Sequence, residues 1–296
     1  MGAIVHSGAC QGFILLDYSK RQDNRLGLRL YSLFKRERGI FTVDQRKVVL
    51  VTGGGKGIGR GISERFLASG ATVVICGREQ PASLPGHQGR GAEFIAADVR
   101  DRAAVDALFA EIAQRHGRLD VLVNNAGGAP FAMADKVSPR FHESIIALNL
   151  LAPLHLAQKA NALMQAREEG GVIVFIGSVS GSRPSPGTAA YGAAKAAILS
   201  LTQSLAVEWA PKVRVVAVSP GLVRTEQSDL HYGDEAGLAA VAATIPQGRL
   251  AEPAEIGDAC VWLSSSAAAY ASGINLLLHG GGERPAFLAA ASANKG

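Results

Sequence analysis

The stretch Val48–Gly59, "VVLVTGGGKGIG", decides how this chain is read. Four apolar residues, Val48 to Val51, are followed by eight residues of which five are glycine. A short, continuously apolar run suits a strand. The next segment, "IGRGISERFLASG" (Ile58–Gly70), carries Ile58, Ile62 and Phe66 at four-residue spacing and ends in glycine, the pattern of an amphipathic helix with a stop. The glycines therefore fall on a strand-to-helix turn, where missing side chains let a ligand approach the backbone. A helix N-terminus offers unpaired N–H groups and about half a positive charge, so the favoured ligand is anionic, above all a pyrophosphate. The spacing is Gly53-x-x-x-Gly57-x-Gly59, with Gly55, Lys56 and Ile58 between, and not G-x-G-x-x-G. Gly57 follows Lys56 where a nucleotide-triphosphate loop needs Ser or Thr, so that reading fails.

From Lys47 onward, short β-branched runs alternate with longer helical patterns. The strand candidates are "KVVLV", "TVVIC", "EFIAA", "VLVNN", "VIVFI", "RVVAV" and "INLLL". Such continuously apolar runs suit strands covered on both faces. The expectation is an α/β fold: one doubly wound, Rossmann-type domain over residues 47–282, with a seven-stranded parallel sheet and helices on both faces. Residues 1–46 read as a basic N-terminal extension, and residues 283–296 as a C-terminal tail. Within the extension, "LGLRLYSLFKRERG" (Leu26–Gly39) has the pattern of a short amphipathic basic helix. It lacks an apolar core followed by a small-residue cleavage site, which argues against a secretory signal.

In such a sheet ligands bind beyond the carboxyl ends of the strands. The end of the second strand, "VVICGRE", selects between dinucleotides. An NAD site places a carboxylate there for the ribose hydroxyls; this chain has Gly77 and then Arg78. A guanidinium can grip a 2′-phosphate through paired hydrogen bonds, and Lys56 adds a second cation. NADP(H) is therefore expected over NAD(H).

Bulk composition narrows the class. The 296 residues carry a net charge of +5, but residues 1–47 hold nine Lys/Arg against four Asp/Glu, leaving 21 of each in the rest. A basic face for nucleic acid is not expected on a neutral body. No apolar run of about 18 residues suggests a membrane span. Cys10, Cys76 and Cys260 are scattered, with no CxxC, which points to a reducing, cytoplasmic compartment and to no metal site.

"YGAAK" supplies Tyr191 and Lys195 at i and i+4, on one face of the Ala-rich helix "AAYGAAKAAILSLTQSLAVEWA". A free phenol has a pKa near ~10. An ammonium nearby, helped by an oxidised nicotinamide, favours the phenolate, and a fall of about three units needs roughly 4 kcal/mol of differential interaction. Such a tyrosine could exchange a proton with a carbonyl oxygen during hydride delivery.

In order along the chain stand "TGGGKGIG", "ADVRD" (Ala97–Asp101), "NNAG" (Asn124–Gly127), Asn149 in "ALNL", "IGSVSG" (Ile176–Gly181), "YGAAK" and "SPGLVRT" (Ser219–Thr225). As a set these resemble the short-chain dehydrogenase/reductase family, from about Lys47 to Gly282. Ser178 precedes Tyr191 by 13 residues, the spacing usual in that family. The resemblance implies Tyr191 as acid/base and Lys195 as the cation that lowers its pKa and holds the nicotinamide ribose. It implies Ser178 as a hydrogen-bonding partner of the substrate oxygen, in preference to Ser180, and Asn149 as the holder of a proton-relaying water. Asp98 and Val99 are expected at the adenine, and Asn125, Ala126 and Gly127 on the cofactor floor, with a structural role for Asn125 equally open. Pro220, Gly221, Val223 and Thr225 are expected at the carboxamide. A homotetramer is implied in the same way.

The chain departs from the family at Val216, where many members carry Asn, and at His279, where Asp is common. Glu226–Gln247 is expected to cover the substrate. Phe131, Met133, Leu230 and Tyr232 are candidates for an apolar wall suited to a bulky hydrophobic ketone or secondary alcohol. Within the family the resemblance is to bacterial reductases of alicyclic or steroid-derived intermediates, including CoA thioesters, with a 3-oxoacyl thioester reductase close behind. Two other classes stay open: a non-catalytic NADP(H) sensor or scaffold, and a nucleic-acid or membrane binder acting through the basic extension.

Overall fold

Strand β1 (Val48–Thr52) alternates its side chains between two cores. Val49 and Val51 pack on one side, Val48 and Leu50 on the other. That is what a fully apolar strand requires: a hydrophobic layer on each face of its sheet. The computed structural model describes residues 47–228 and 232–290. The expectations for residues 1–46 and for Leu230 lie outside them.

All seven anticipated runs are strands. After β1 come β2 (Thr72–Gly77), a small antiparallel hairpin of β3 (Gly86–His87) and β4 (Arg90–Gly91), then β5 (Glu93–Ala96), β6 (Val121–Asn124), β7 (Gly171–Ile176), β8 (Val213–Pro220) and β9 (Asn275–Leu278). The large sheet has the order β5-β2-β1-β6-β7-β8-β9, every pair parallel. The order reverses beside β1, and a doubly wound sheet binds its ligand at that switch point, beyond the carboxyl ends.

The helices are α1 (Gly57–Ala68), α2 (Arg102–His116), α3 (Pro139–Ile146), α4 (Ala152–Gln165), α5 (Ala189–Glu208), α6 (Glu235–Thr244), α7 (Pro253–Leu263) and a short α8 (Ala286–Ala290). One face of the sheet is covered by α1 and α7 through Ile62, Phe66, Ile256 and Leu263. The other is covered by α2, α4 and α5 through Leu108, Ile112, Leu156, Met164 and Ile198. Local signals set the boundaries. Asp101 caps α2 by accepting from Ala103 N at 2.9 Å, and Gly117 ends it at φ 65°. Between α3 and α4 the chain widens into a π-turn, Ala147–Leu151, an irregularity frequent at functional sites. Among the described residues no helix is long and apolar enough to cross a membrane.

Candidate active site

The glycine turn lies at the carboxyl end of β1 and is closed by the segment after β6. Thr52 Oγ1 accepts from the backbone N–H of Asn125 at 3.0 Å and of Ala126 at 2.9 Å. The Asn125 amide in turn donates to Thr52 O at 2.9 Å and Gly53 O at 3.3 Å. Asn125 is thus a tie between two strand ends. The turn has no room for side chains: a Cβ at Gly59 would stand 2.2 Å from Gly53 O, and Gly53 and Gly57 adopt φ of 63° and 52°. Gly57 N, the first amide of α1, donates to both oxygens of Glu226 at 2.9 and 3.2 Å. A carboxylate from a distant part of the chain therefore sits where an anion was expected.

Toward the β2 and β5 tips, Lys56 and Arg78 are exposed, and neither forms an ion pair with any described residue. Asp98 is held by Arg100, which donates from its backbone N and Nε to Oδ1 at 3.0 Å and from Nη2 to Oδ2 at 2.7 Å. That grip, with Arg78 nearby, lowers the Asp98 carboxyl to about 2. Val99 beside it is buried.

The reactive groups gather beyond β6 and β7. Ser178 follows β7 in an extended conformation, and its Oγ accepts from Ser180 N at 3.1 Å. Its O–H is left to donate toward Tyr191, and Ser180, the rival hydroxyl, serves through its backbone. Tyr191 lies on the first turn of α5, within hydrogen-bonding reach of Ser178. Lys195, one turn on, is buried with its Nζ donating to Ile176 O at 2.7 Å and lying 5.5 Å from the Tyr191 ring centroid. Asn149 is fully buried in the π-turn. Its Nδ2 donates to Gly128 O and Ile145 O, both at 2.9 Å, and its Oδ1 accepts from Gly128 N at 2.9 Å. Gly127 joins them, since a Cβ there would be 2.7 Å from Asn149 Oδ1 and 3.5 Å from Lys195 Nζ.

In this geometry burial raises the Tyr191 phenol, and the hydrogen bond with Ser178 acts in the opposite sense. Lys195 is itself desolvated, which brings it down to about 8, and its hydrogen bond goes to a carbonyl.

The family model described as enoyl-(acyl carrier protein) reductase matches residues 53–283. The chain belongs to the short-chain dehydrogenase/reductase family. It is 35% identical to oxidoreductase UcpA of Salmonella typhimurium, over 81% of this chain and 95% of that one. It is 34% identical to the 3-oxoacyl-[acyl-carrier-protein] reductase FabG of Vibrio harveyi, over 79% and 96%. Among solved structures, one described as an NAD(P)-dependent gluconate 5-dehydrogenase of Beutenbergia cavernae, with bound NADP at low occupancy, superposes with a TM-score of 0.75. It shares 35% identity and covers 82% of this chain and 98% of its own.

The short-chain dehydrogenase/reductase segment "SPGLVRT" runs from the end of β8 toward the glycine turn. Gly221 N donates to Leu278 O at 2.7 Å, Val223 bridges Ala251, and the Thr225 hydroxyl accepts from Gln227 N at 3.3 Å. Pro220 closes β8. Val216, the departure from Asn, is a fully buried core residue. Of the apolar-wall candidates, Phe131 is 73% and Met133 49% exposed, and the Phe131 ring lies over Gly187. Tyr232 is partly buried. Three participants were missed from sequence. Arg100 at Asp98 had a readable signal, its i+2 spacing. The Glu226 contact spans 169 positions and the π-turn depends on packing, so neither had one.

Proposed function

We propose that this chain is an NADP(H)-dependent oxidoreductase that interconverts a ketone and a secondary alcohol on a hydrophobic substrate, with Tyr191 as the acid/base. The observation that carries the reading is the convergence of Tyr191, Ser178 and the buried Lys195 beside the Gly127–Asn149 contact. The residues fit a dinucleotide. The glycine turn has no room for side chains over its backbone amides, a carboxylate already stands in for an anion at Gly57 N, and two exposed cations, Lys56 and Arg78, flank the adenosine end. When bound, the nicotinamide would supply hydride and, once oxidised, a positive charge beside the phenol.

Tyr191 donates its phenolic proton to the substrate oxygen as the adjacent carbon receives hydride, and takes it back in the reverse direction. Ser178, in hydrogen-bonding reach of the Tyr191 hydroxyl, donates its O–H to the same substrate oxygen. Lys195 orients the ribose and returns a proton toward Tyr191. Asn149 fixes the Gly127–Gly128 backbone, and its Oδ1 keeps one lone pair with which to hold a relay water. Gly53, Gly55, Ile58, Ala126, Pro220, Gly221, Val223 and Thr225 complete the cofactor contacts, with Asp98 and Val99 at the adenine. The homotetramer, the cytoplasmic location and the division at residues 46 and 282 belong to the same proposal.

Exposed Phe131 and Met133 at the rim support an apolar substrate. Similarity to FabG across nearly its whole length favours a 3-oxoacyl thioester as the second reading. The test is Tyr191→Phe, assayed by nicotinamide absorbance on a panel of ketones, 3-oxoacyl thioesters and alcohols with both cofactors. Turnover is expected to fall by about 10²–10⁴ while NADPH binding is spared, and the wild type is expected to prefer the phosphorylated cofactor. Unchanged turnover would refute the mechanism; preference for NAD would refute the role of Arg78.

A further inference from the structure

The N-terminus of α1 is capped from far away in the chain. Lys56 at the N-cap gives the first turn no side-chain hydrogen bond, and that turn carries no acid of its own. The anion comes instead from Glu226, whose two oxygens both accept from Gly57 N across 169 positions of sequence. The strap bearing it is folded on itself: Thr225 N donates to Ser228 Oγ at 2.8 Å, and Ser228 N to Thr225 O at 3.0 Å. Thr225 faces the glycine turn, its methyl carbon 3.5 Å from where a Gly57 Cβ would be. A carboxylate and a phosphate seek the same donors at a helix N-terminus, and two anions at one amide repel each other.

We propose that Glu226 is an internal competitor for the dinucleotide pyrophosphate, holding the 225–228 strap on the glycine turn until the cofactor displaces it. The inference rests on the cofactor reading above. Glu226 is exposed, so water receives its carboxylate readily once it leaves.

The test uses full-length Glu226→Ala and Glu226→Gln beside the wild type. NADPH and NADH binding are followed by nicotinamide fluorescence; binding of 2′-AMP, which carries a 2′-phosphate and no pyrophosphate, is followed by calorimetry. Both variants are expected to bind NADPH about two- to tenfold more tightly, the range that one N-terminal cap contact represents, with 2′-AMP affinity unchanged. Without ligand their melting temperatures are expected to fall by about one or two degrees, and the upward shift caused by NADPH to widen. An NADPH affinity that is unchanged or weaker in both variants overturns the competitor and leaves the cofactor reading standing. Equal tightening of 2′-AMP overturns it too, since only overall charge would then be at work. If no form binds either dinucleotide, the cofactor reading falls and the competitor with it.

Discussion

Lys195 is held at a cost. It is 4% exposed, its hydrogen bond goes to a neutral carbonyl, and desolvation lowers its pKa from 10.5 to about 8. Between those two values the unfolded chain binds more protons than the folded one, so stability rises with pH across that window. Below pH 8 the penalty is fully present, on the order of 3 kcal/mol. Lys195→Met removes the buried charge but leaves Ile176 O without this donor. The net expectation is a gain of about 1–2 kcal/mol at neutral pH, read as a higher urea midpoint, together with loss of turnover. The gain should shrink as pH rises from 8 toward 10.5. A variant no more stable than the wild type at pH 7 would show that the charge is not the cost. Sequence alone placed Tyr191 and Lys195 on one helical face, because a four-residue spacing is a local property. It could not give how deeply either group is buried, because desolvation depends on everything packed around it.

At the scale of elements, the closest packing is between α1 and α7. A Cβ at Gly61 would lie 2.5 Å from Pro253, and one at Gly257 would lie 2.8 Å from Gly61 O. The two helices approach backbone to backbone, with Arg65 and Asp258 paired at the edge. Gly257→Leu must push them apart, at an expected cost of about 2–3 kcal/mol in chemical denaturation. Removing the exposed ion pair through Asp258→Ala should cost less than about 1 kcal/mol. Equal losses would mean that the contact is not tight. All seven sheet strands were legible because their apolar runs are long and β-rich. The hairpin at Gly86–Gly91 was not, since neither arm exceeds two residues and its turn rests on positive φ at Gln88 and Gly89. Its Gly-rich "GHQGRG" was the available cue.

For the molecule as a whole, Asp120 ties the amino-terminal edge of the sheet, opposite the site. Its carboxylate accepts from Val48 N at 2.8 Å, from Arg118 Nη2 at 2.6 Å and from Arg167 Nη1 at 3.0 Å. Burial pushes the carboxyl up, but Arg118, the Val48 amide and Arg167 together outweigh it and hold it below its ordinary value. A depressed folded value stabilises above the unfolded pKa near 3.8, and the contribution disappears as pH falls through the folded one. Asp120→Asn is expected to cost roughly 2–3 kcal/mol at pH 7 and to flatten the acid limb of the stability profile. An acid limb as steep as that of the wild type would assign it to other carboxylates. The fold class was legible, and candidate site residues could be named, because glycines, apolar runs and short spacings are local. The Asp120 tie and the Glu226 cap were not, because each joins residues that meet only once the sheet exists.

The all-parallel order of the large sheet also bears on how the chain reaches this state. Val49 finds Val121, and Val121 finds Val172, only after a crossover has closed. No hairpin inside that sheet can nucleate it, so loop entropy must be overcome before any pairing offsets it. Refolding is therefore expected on the slow side for a chain this size, with half-made sheets whose bare edges invite association as protein concentration rises.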